Sequence, residues 1–305
     1  MYSPAAIPFW QPRVYELGPI PIDPWATLVC LAFILGLEVC RARGIRRGLE
    51  PRDVVDGAVV IVGMGFVVGH LVHVLGYHPE QYEKDGIVSL LRVWAGFSSM
   101  GGMLGAVIGY VLFFGFIRNS APLSTVFGGS FSEVWGRIGK RFDRKFWTQG
   151  DNIMFGFPFA WFLGRMGCFS VHDHIGRETT FFLGVEFPAN WLAAGDPGGI
   201  RHDLGLYEAL WALCIAGVFL ILDRKARKPG FFLATWCFLY APIRFAMDFW
   251  RSTDLGVNRS DIRYWGLTPA QYLAVLMFLA GIGLLMMLRG SPVPEEGTSE
   301  RAEEE

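Results

Sequence analysis

Apolar residues gather in seven long runs, near residues 22–41, 54–76, 93–117, 151–171, 204–223, 230–250 and 267–288. Each approaches the ~20 residues that a helix needs to cross the hydrocarbon core of a bilayer. The polar segments between them alternate in character. "RARGIRRGLEPR", "RNSAPLSTVFGGSFSEVWGRIGKRFDRKF" and "DRKARKPG" hold most of the Lys and Arg, whereas "HPEQYEKDG" and "RSTDLGVNRSDIRYWG" are mixed. The positive-inside rule puts the basic set in the cytoplasm. The pattern therefore predicts an all-α integral membrane protein with about seven transmembrane helices over 22–290, the N-terminus outside and the C-terminus cytoplasmic.

Three segments fall outside those spans. Residues 1–21 are expected to lie along the outer membrane surface, with Phe9, Trp10 and Tyr15 at headgroup depth. The outer-face loop 172–203 is too long for a plain connector, and its "FFLGVEFPANWL" suits a short interfacial hairpin or helix. The tail 291–305 is acidic, lacks aromatics and is expected to be disordered and cytoplasmic.

Composition agrees with a membrane protein: 52% of the 305 residues are hydrophobic and only 18% charged, and the mean hydropathy is +0.35. The net charge of −1 comes with dispersed basic residues rather than a basic face, which excludes a nucleic-acid role. Cys30, Cys40, Cys168, Cys214 and Cys237 show no CxxC spacing, so small apolar packing is expected of them rather than a disulfide framework or a zinc site. The first twenty residues lack the pattern of a removable signal peptide.

Ionisable side chains inside spans cost on the order of 2.5–3.5 kcal/mol each, so they face the protein interior and serve a purpose there. Here they are His70, Arg165, Glu208, Arg244 and Asp248, with Asp56, Asp151 and Arg251 near span ends. One reading is structural: Arg244 and Asp248 form an i, i+4 pair, and Arg165 bonds Glu208 between helices. The other is an anion site, because a guanidinium brings a permanent charge and a fixed fork of donors. In span three, Gly101, Gly105 and Gly109 recur every four residues, a pattern that lets helix backbones approach closely.

Ordered motifs carry a resemblance. "GRMGCFSVHDHIGR" is similar to GRxGNFxNxExxGR, "RHDLGLYEA" to RHPSQLYEA, "IRFAMDFWRSTD" to RFxxEFxRxPD, and "LTPAQYLAVLMFLAGIGLL" to LTxGQxLSxxMxxxGI. With Asp151 opening the fourth span, residues 15–290 resemble the prolipoprotein diacylglyceryl transferase family. That family moves a diacylglyceryl group from phosphatidylglycerol to the lipobox cysteine of a prolipoprotein and releases glycerol phosphate. The resemblance implies a multi-pass transferase of the bacterial inner membrane, with no cofactor and no metal, working as a monomer.

It also implies roles. Arg165, Arg244 and Arg251 stand at the phosphate side as catalytic residues, with Glu208 and Asp248 holding the guanidinium planes. Met100, Gly101, Gly102, Cys168, Asp173, Gly176, Arg177, His202 and Tyr207 fall at the other substrate-facing positions. The chain departs from the family where it works: HGG in span three is Met100-Gly101-Gly102, the span-two arginine is His70, and two signature asparagines are Cys168 and Val171. His70, His172, His174 and His202 are each candidates to replace the missing histidine base. A metal held by His172, Asp173 and His174 needs a further ligand such as His202 or Asp203. Two alternatives to the transferase are a homologue that binds anionic lipid or precursor without turnover, and a transporter or scaffold, for which no inverted repeat is visible.

Overall fold

A computed structural model describes residues 6–18, 20–93, 95–118, 144–192, 196–255 and 261–289. The acidic tail and most of the long basic loop between spans three and four lie outside the described residues. Nine helices and six short strands follow one another among those described: β1 (Ile7–Pro8), β2 (Tyr15–Leu17), β3 (Ile20–Ile22), α1 (Pro24–Arg46), α2 (Pro51–Val72, continued as a π-helix over His73–Tyr77), α3 (Pro79–Asp85), α4 (Ile87–Leu91), α5 (Ser99–Tyr110, continued over Val111–Ile117), α6 (Arg144–Val171), β4 (Ile175–Glu178), β5 (Val185–Phe187), β6 (Gly199–Asp203), α7 (Leu204–Leu222), α8 (Phe231–Met247) and α9 (Pro269–Arg289).

Helix starts are written in the local sequence. Asp23 accepts from Ala26 N at 2.8 Å ahead of Pro24 at the first helical position of α1. Ser98 caps α5 through Gly101 N at 3.2 Å, and Asp203 caps α7 through Leu206 N at 3.1 Å. At α9, Thr268 Oγ1 accepts from Gln271 N while Gln271 Oε1 accepts from Thr268 N at 2.9 Å, a reciprocal capping box with Pro269 inside it.

Five described helices are long and apolar enough to cross a membrane: Pro24–Arg46, Pro51–Tyr77, Ser99–Ile117, Leu204–Leu222 and Pro269–Arg289. The two other expected spans become α6 and α8. Helix α8 has 17 residues, and both helices hold an internal proline, Pro158 and Pro242. They also carry Arg165 and Arg244, the buried arginines of the first unit's helices.

The chain divides into two compact units. The first comprises Met1–Gly36, Gly156–Leu222 and Trp236–Phe278. Helices dominate it, but β4, β5 and β6 join β1 in a small sheet in the region where a hairpin or helix was expected. The strand order is β1-β5-β6-β4, with β1 parallel to β5 and the other pairs antiparallel. Val185 and Phe187 alternate inward from β5 and pack with Phe169, Ile175, Leu204, Tyr207 and Met247. Phe9 follows β1 into the same cluster, whereas Trp10 and Tyr15 are exposed.

The second unit comprises Leu37–Phe155, Asp223–Thr235 and Leu279–Glu305. The span-three glycines meet α2 face to face. A Cβ on Gly105 would fall 2.3 Å from Met64 O, and one on Gly109 would fall 2.8 Å from Val60 O. Asp151 serves the start of α8: its carboxylate accepts the backbone N–H groups of Gly230, Phe231, Phe232 and Leu233 at 2.9–3.1 Å. These are the orphan donors of a helix N-terminus, and a carboxylate there also meets the positive end of the helix dipole. Arg43 pairs with Asp223 at 2.9 Å and lies over the rings of Phe155 and Phe232.

Candidate active site

Helical spacing in the first unit brings charges from three helices together. On α6, Trp161, Arg165 and Cys168 follow at i, i+4 and i+7, so they share a face. On α8, Tyr240 and Arg244 continue to Asp248 at the same four-residue interval. Helix α7 presents Glu208 from its second turn.

Glu208 joins the set. Its Oε2 lies 3.0 Å from Arg165 Nε and accepts from the Tyr240 hydroxyl at 2.7 Å, while Oε1 lies 3.4 Å from Arg244 Nε. Arg244 Nη1 in turn pairs with Asp248 Oδ1, which also meets Arg251 Nε at 3.3 Å. Thr268 donates to Asp248 Oδ2, and Arg251 Nε reaches Asp261 at 2.9 Å. Arg165 lies over the Trp161 ring at 4.6 Å. Arg165, Arg244, Glu208 and Asp248 are all at most 3% exposed.

Both ion pairs of the structural reading are therefore present, as links in one network. Burying an isolated charge is expensive, and alternating guanidinium with carboxylate offsets that cost. The network gathers three guanidinium groups in one place. Each guanidinium carries about five N–H donors, while Glu208 is shared between two arginines and a tyrosine, and Asp248 between two arginines and a threonine.

At the end of α6 the chain turns through His172, whose φ of 49° is left-handed. Its Nδ1 bonds Asp203 Oδ2 at 2.7 Å, its Nε2 faces Trp10 O at 3.1 Å, and its ring stacks on Phe9 at 4.7 Å. Asp203 thus holds His172 as well as capping α7; burial raises its carboxyl pKa even though the His172 bond opposes this. The next histidine behaves differently. His174 Nδ1 bonds Asp173 Oδ1 at 2.5 Å, and Arg165 Nη1 donates to His174 Nε2 at 2.8 Å. Burial works to raise the Asp173 carboxyl, but His174, Arg165 and Arg251 outweigh it and hold the pKa below the usual value.

Cys168, Asp173 and His174 bring three potential ligand atoms within 4.8 Å of one another. Arg165 Nη1, however, reaches both His174 Nε2 and, at 3.8 Å, Cys168 Sγ. A guanidinium sits against the donors that a cation would use, so the geometry favours an anion. His172 points instead to Asp203 and Trp10, away from the three-ligand set considered from sequence.

Gly176 of the signature pairs with Arg251 in an antiparallel bridge, and a Cβ there would fall 2.6 Å from both Trp250 O and His202 Cβ. Only glycine lets the two segments meet so closely. Arg177 is exposed. His202 bonds the Tyr207 hydroxyl at 2.9 Å and stacks on Trp250; burial lowers its pKa. Both line an apolar hollow of about 400 Å³ with Phe181, Leu183, Trp211 and Met247. In the second unit, His70 is fully buried with Nδ1 on Gly96 O at 3.0 Å and Nε2 on Ser89 O at 2.8 Å. Met100 is buried, Gly101 abuts Val72 and Gly102 abuts Phe97.

The sequence model of the family described as "Prolipoprotein diacylglyceryl transferase" matches residues 12–142 and 125–287. The chain belongs to the prolipoprotein diacylglyceryl transferase family. Proteins named phosphatidylglycerol–prolipoprotein diacylglyceryl transferase resemble it along most of their length. The one from Solidesulfovibrio magneticus is 30% identical over 91% of this chain and 94% of its own. Those from Teredinibacter turnerae and Tolumonas auensis are 28% and 25% identical, over 82% and 92% of this chain and 79% and 96% of their own.

Sequence reasoning missed Tyr240, Thr268 and Asp261 in this transferase-family site. Tyr240 had a signal: it stands four residues before Arg244, as Asp248 stands four after. Thr268 and Asp261 had none, because their contacts depend on how the segment after Arg251 folds back.

Proposed function

We propose that the protein transfers a diacylglyceryl group from phosphatidylglycerol to the lipobox cysteine of a prolipoprotein, releasing glycerol phosphate. The observation that carries this reading is the buried network Arg165–Glu208–Arg244–Asp248–Arg251, which brings three guanidinium groups together. In the reaction the cysteine sulfur forms a bond to the terminal glycerol carbon of the lipid. The carbon–oxygen bond to phosphate breaks, and its electron pair leaves on the phosphate oxygen. Negative charge grows there, and fixed cations in a dry site stabilise it by several kcal/mol. Arg165, Arg244 and Arg251 supply them, while Glu208 and Asp248 hold the guanidinium planes.

The membrane setting goes with this chemistry. The chain is read as seven spans of the bacterial inner membrane, with α6 and α8 as the two polar ones, the N-terminus and the sheet outside, and the C-terminus cytoplasmic. It acts as a monomer on a lipid reached from the outer leaflet. Gly176 and Arg177 border the site, and the hollow beside His202 and Tyr207 lies on its substrate side. His70, Met100, Gly101 and Gly102 take the positions of the family's span-two and span-three motifs.

Met100 at the family's histidine position favours one other reading, a homologue that binds anionic lipid or precursor without turnover. Purified full-length protein in phosphatidylglycerol micelles, given a peptide with a lipobox cysteine, is expected to add one diacylglyceryl mass to that peptide. No gain, under conditions where a conventional family member succeeds, would select the binding homologue.

A further inference from the structure

We infer that His174 is the base that takes the proton from the incoming cysteine thiol, with Asp173 fixing its tautomer, so that this Asp–His pair replaces the histidine missing at Met100. The inference rests on the transferase reading above and adds to it a catalytic residue at a position where the family signature has none.

Proton bookkeeping and position separate the four histidines. A base must present a ring nitrogen that carries a lone pair, and a backbone carbonyl can only accept. His70 turns both nitrogens toward carbonyls, Gly96 O and Ser89 O. His172 turns one toward a carboxylate and the other toward Trp10 O. In both rings each nitrogen already faces a carbonyl or carboxylate oxygen of the fold. His202 is set apart by place: it bonds the Tyr207 hydroxyl and packs on Trp250 in the apolar hollow, whereas His174 meets Arg165.

His174 is arranged the other way. Its Nδ1 faces the Asp173 carboxylate, which requires an N–H there, and its Nε2 accepts from Arg165 Nη1, which requires a lone pair there. Its Nε2 thus stands against an arginine of the phosphate network. The imidazole is 16% exposed and Asp173 41% exposed, so a thiol can reach it from outside. The titratable and charged groups around it are Arg165 and Cys168 from α6, Asp173 beside it, Asp203 from β6, Glu208 from α7, and Arg251 acting on Asp173.

The step balances. The thiol proton passes to His174 Nε2 as the sulfur lone pair attacks the glycerol carbon, the phosphate departs with the bonding electrons, and the imidazolium returns its proton to water. A free thiol has a pKa near 8.5, so only a few per cent is thiolate at neutral pH without such help. Arg165 Nη1 serves two masters here: a lipid phosphate oxygen competes for the N–H that His174 accepts, and its arrival leaves Nε2 open to the thiol.

His174→Gln keeps a hydrogen-bonding side chain but removes the base, and general-base loss commonly costs ~10²–10⁴-fold. In the micelle assay, H174Q is expected to lose at least about 100-fold in kcat with the cysteine peptide. With a selenocysteine peptide, whose selenol ionises at neutral pH unaided, H174Q is expected to return to within about tenfold of wild type, as no general base is then required. A merely structural role would not respond to the nucleophile. Full cysteine activity in H174Q, a loss that selenocysteine does not relieve, or a selenocysteine rescue confined to H202Q would each overturn the assignment. An inactive wild-type protein would instead overturn the transferase reading itself.

Discussion

Arg201 is 3% exposed and holds two carboxylates, Asp254 at 2.6 Å and Glu178 at 3.3 Å, while Ser252 donates to Asp254 from the other side. The Arg201 bond draws the Asp254 pKa from 3.8 down to about 2. As acid is added, the unfolded chain therefore binds the proton first. The stabilisation is complete at neutral pH and is lost between about pH 4 and pH 2. Because Asp254 is half exposed, solvent screens much of it. The unfolding midpoint of Asp254→Ala should thus trail wild type by a constant margin from pH 7 to 5, and the two should converge below pH 4. At this scale the sequence was most legible where a charge stood in an apolar run: Arg165, Glu208, Arg244 and Asp248 stood out for that reason. It was least legible for the histidines, since what separates His174 from His70 and His172 is the identity of each ring's neighbours, which residue type and spacing do not encode.

At the scale of elements, the four-residue glycine repeat is an interface. A methyl group on Gly105 would meet the Met64 carbonyl at 2.3 Å and Val68 Cβ at 2.8 Å. The first of these is backbone and cannot yield unless α2 moves. Overpacking of this kind costs about 1–3 kcal/mol, so Gly105→Ala should lower the thermal midpoint, whereas Gly63→Ala, with open space around it, should change it little. Helix starts were legible too, because Asp-Pro and Thr-Pro-x-Gln name their own caps. The sheet was not, since strands of two to five residues carry too little alternation to stand out and their pairing joins residue 7 to residue 185. Asp151 was noticed as a charge near a span end, but its partners lie some eighty residues on, at the N-terminus of α8.

Across the whole molecule, apolar runs identified the long helices, and the two that depart from a uniform apolar pattern, α6 and α8, are those that bear Arg165 and Arg244. Sequence hydropathy and site chemistry thus conflict in the same two helices, as expected where function overrides a local rule. The central claim is that this buried guanidinium network stabilises the phosphate that leaves the lipid. It is tested most directly by the rate of diacylglyceryl transfer to a lipobox peptide by Arg165→Ala and Arg165→Lys beside wild type, all in phosphatidylglycerol micelles and each checked for cooperative unfolding. Losing one such donor group typically costs ~10²–10³-fold, and lysine keeps the charge without the fork of donors. The account predicts a loss of at least about 100-fold for the alanine variant, with the lysine variant in between. A folded alanine variant that transfers at the wild-type rate would contradict it.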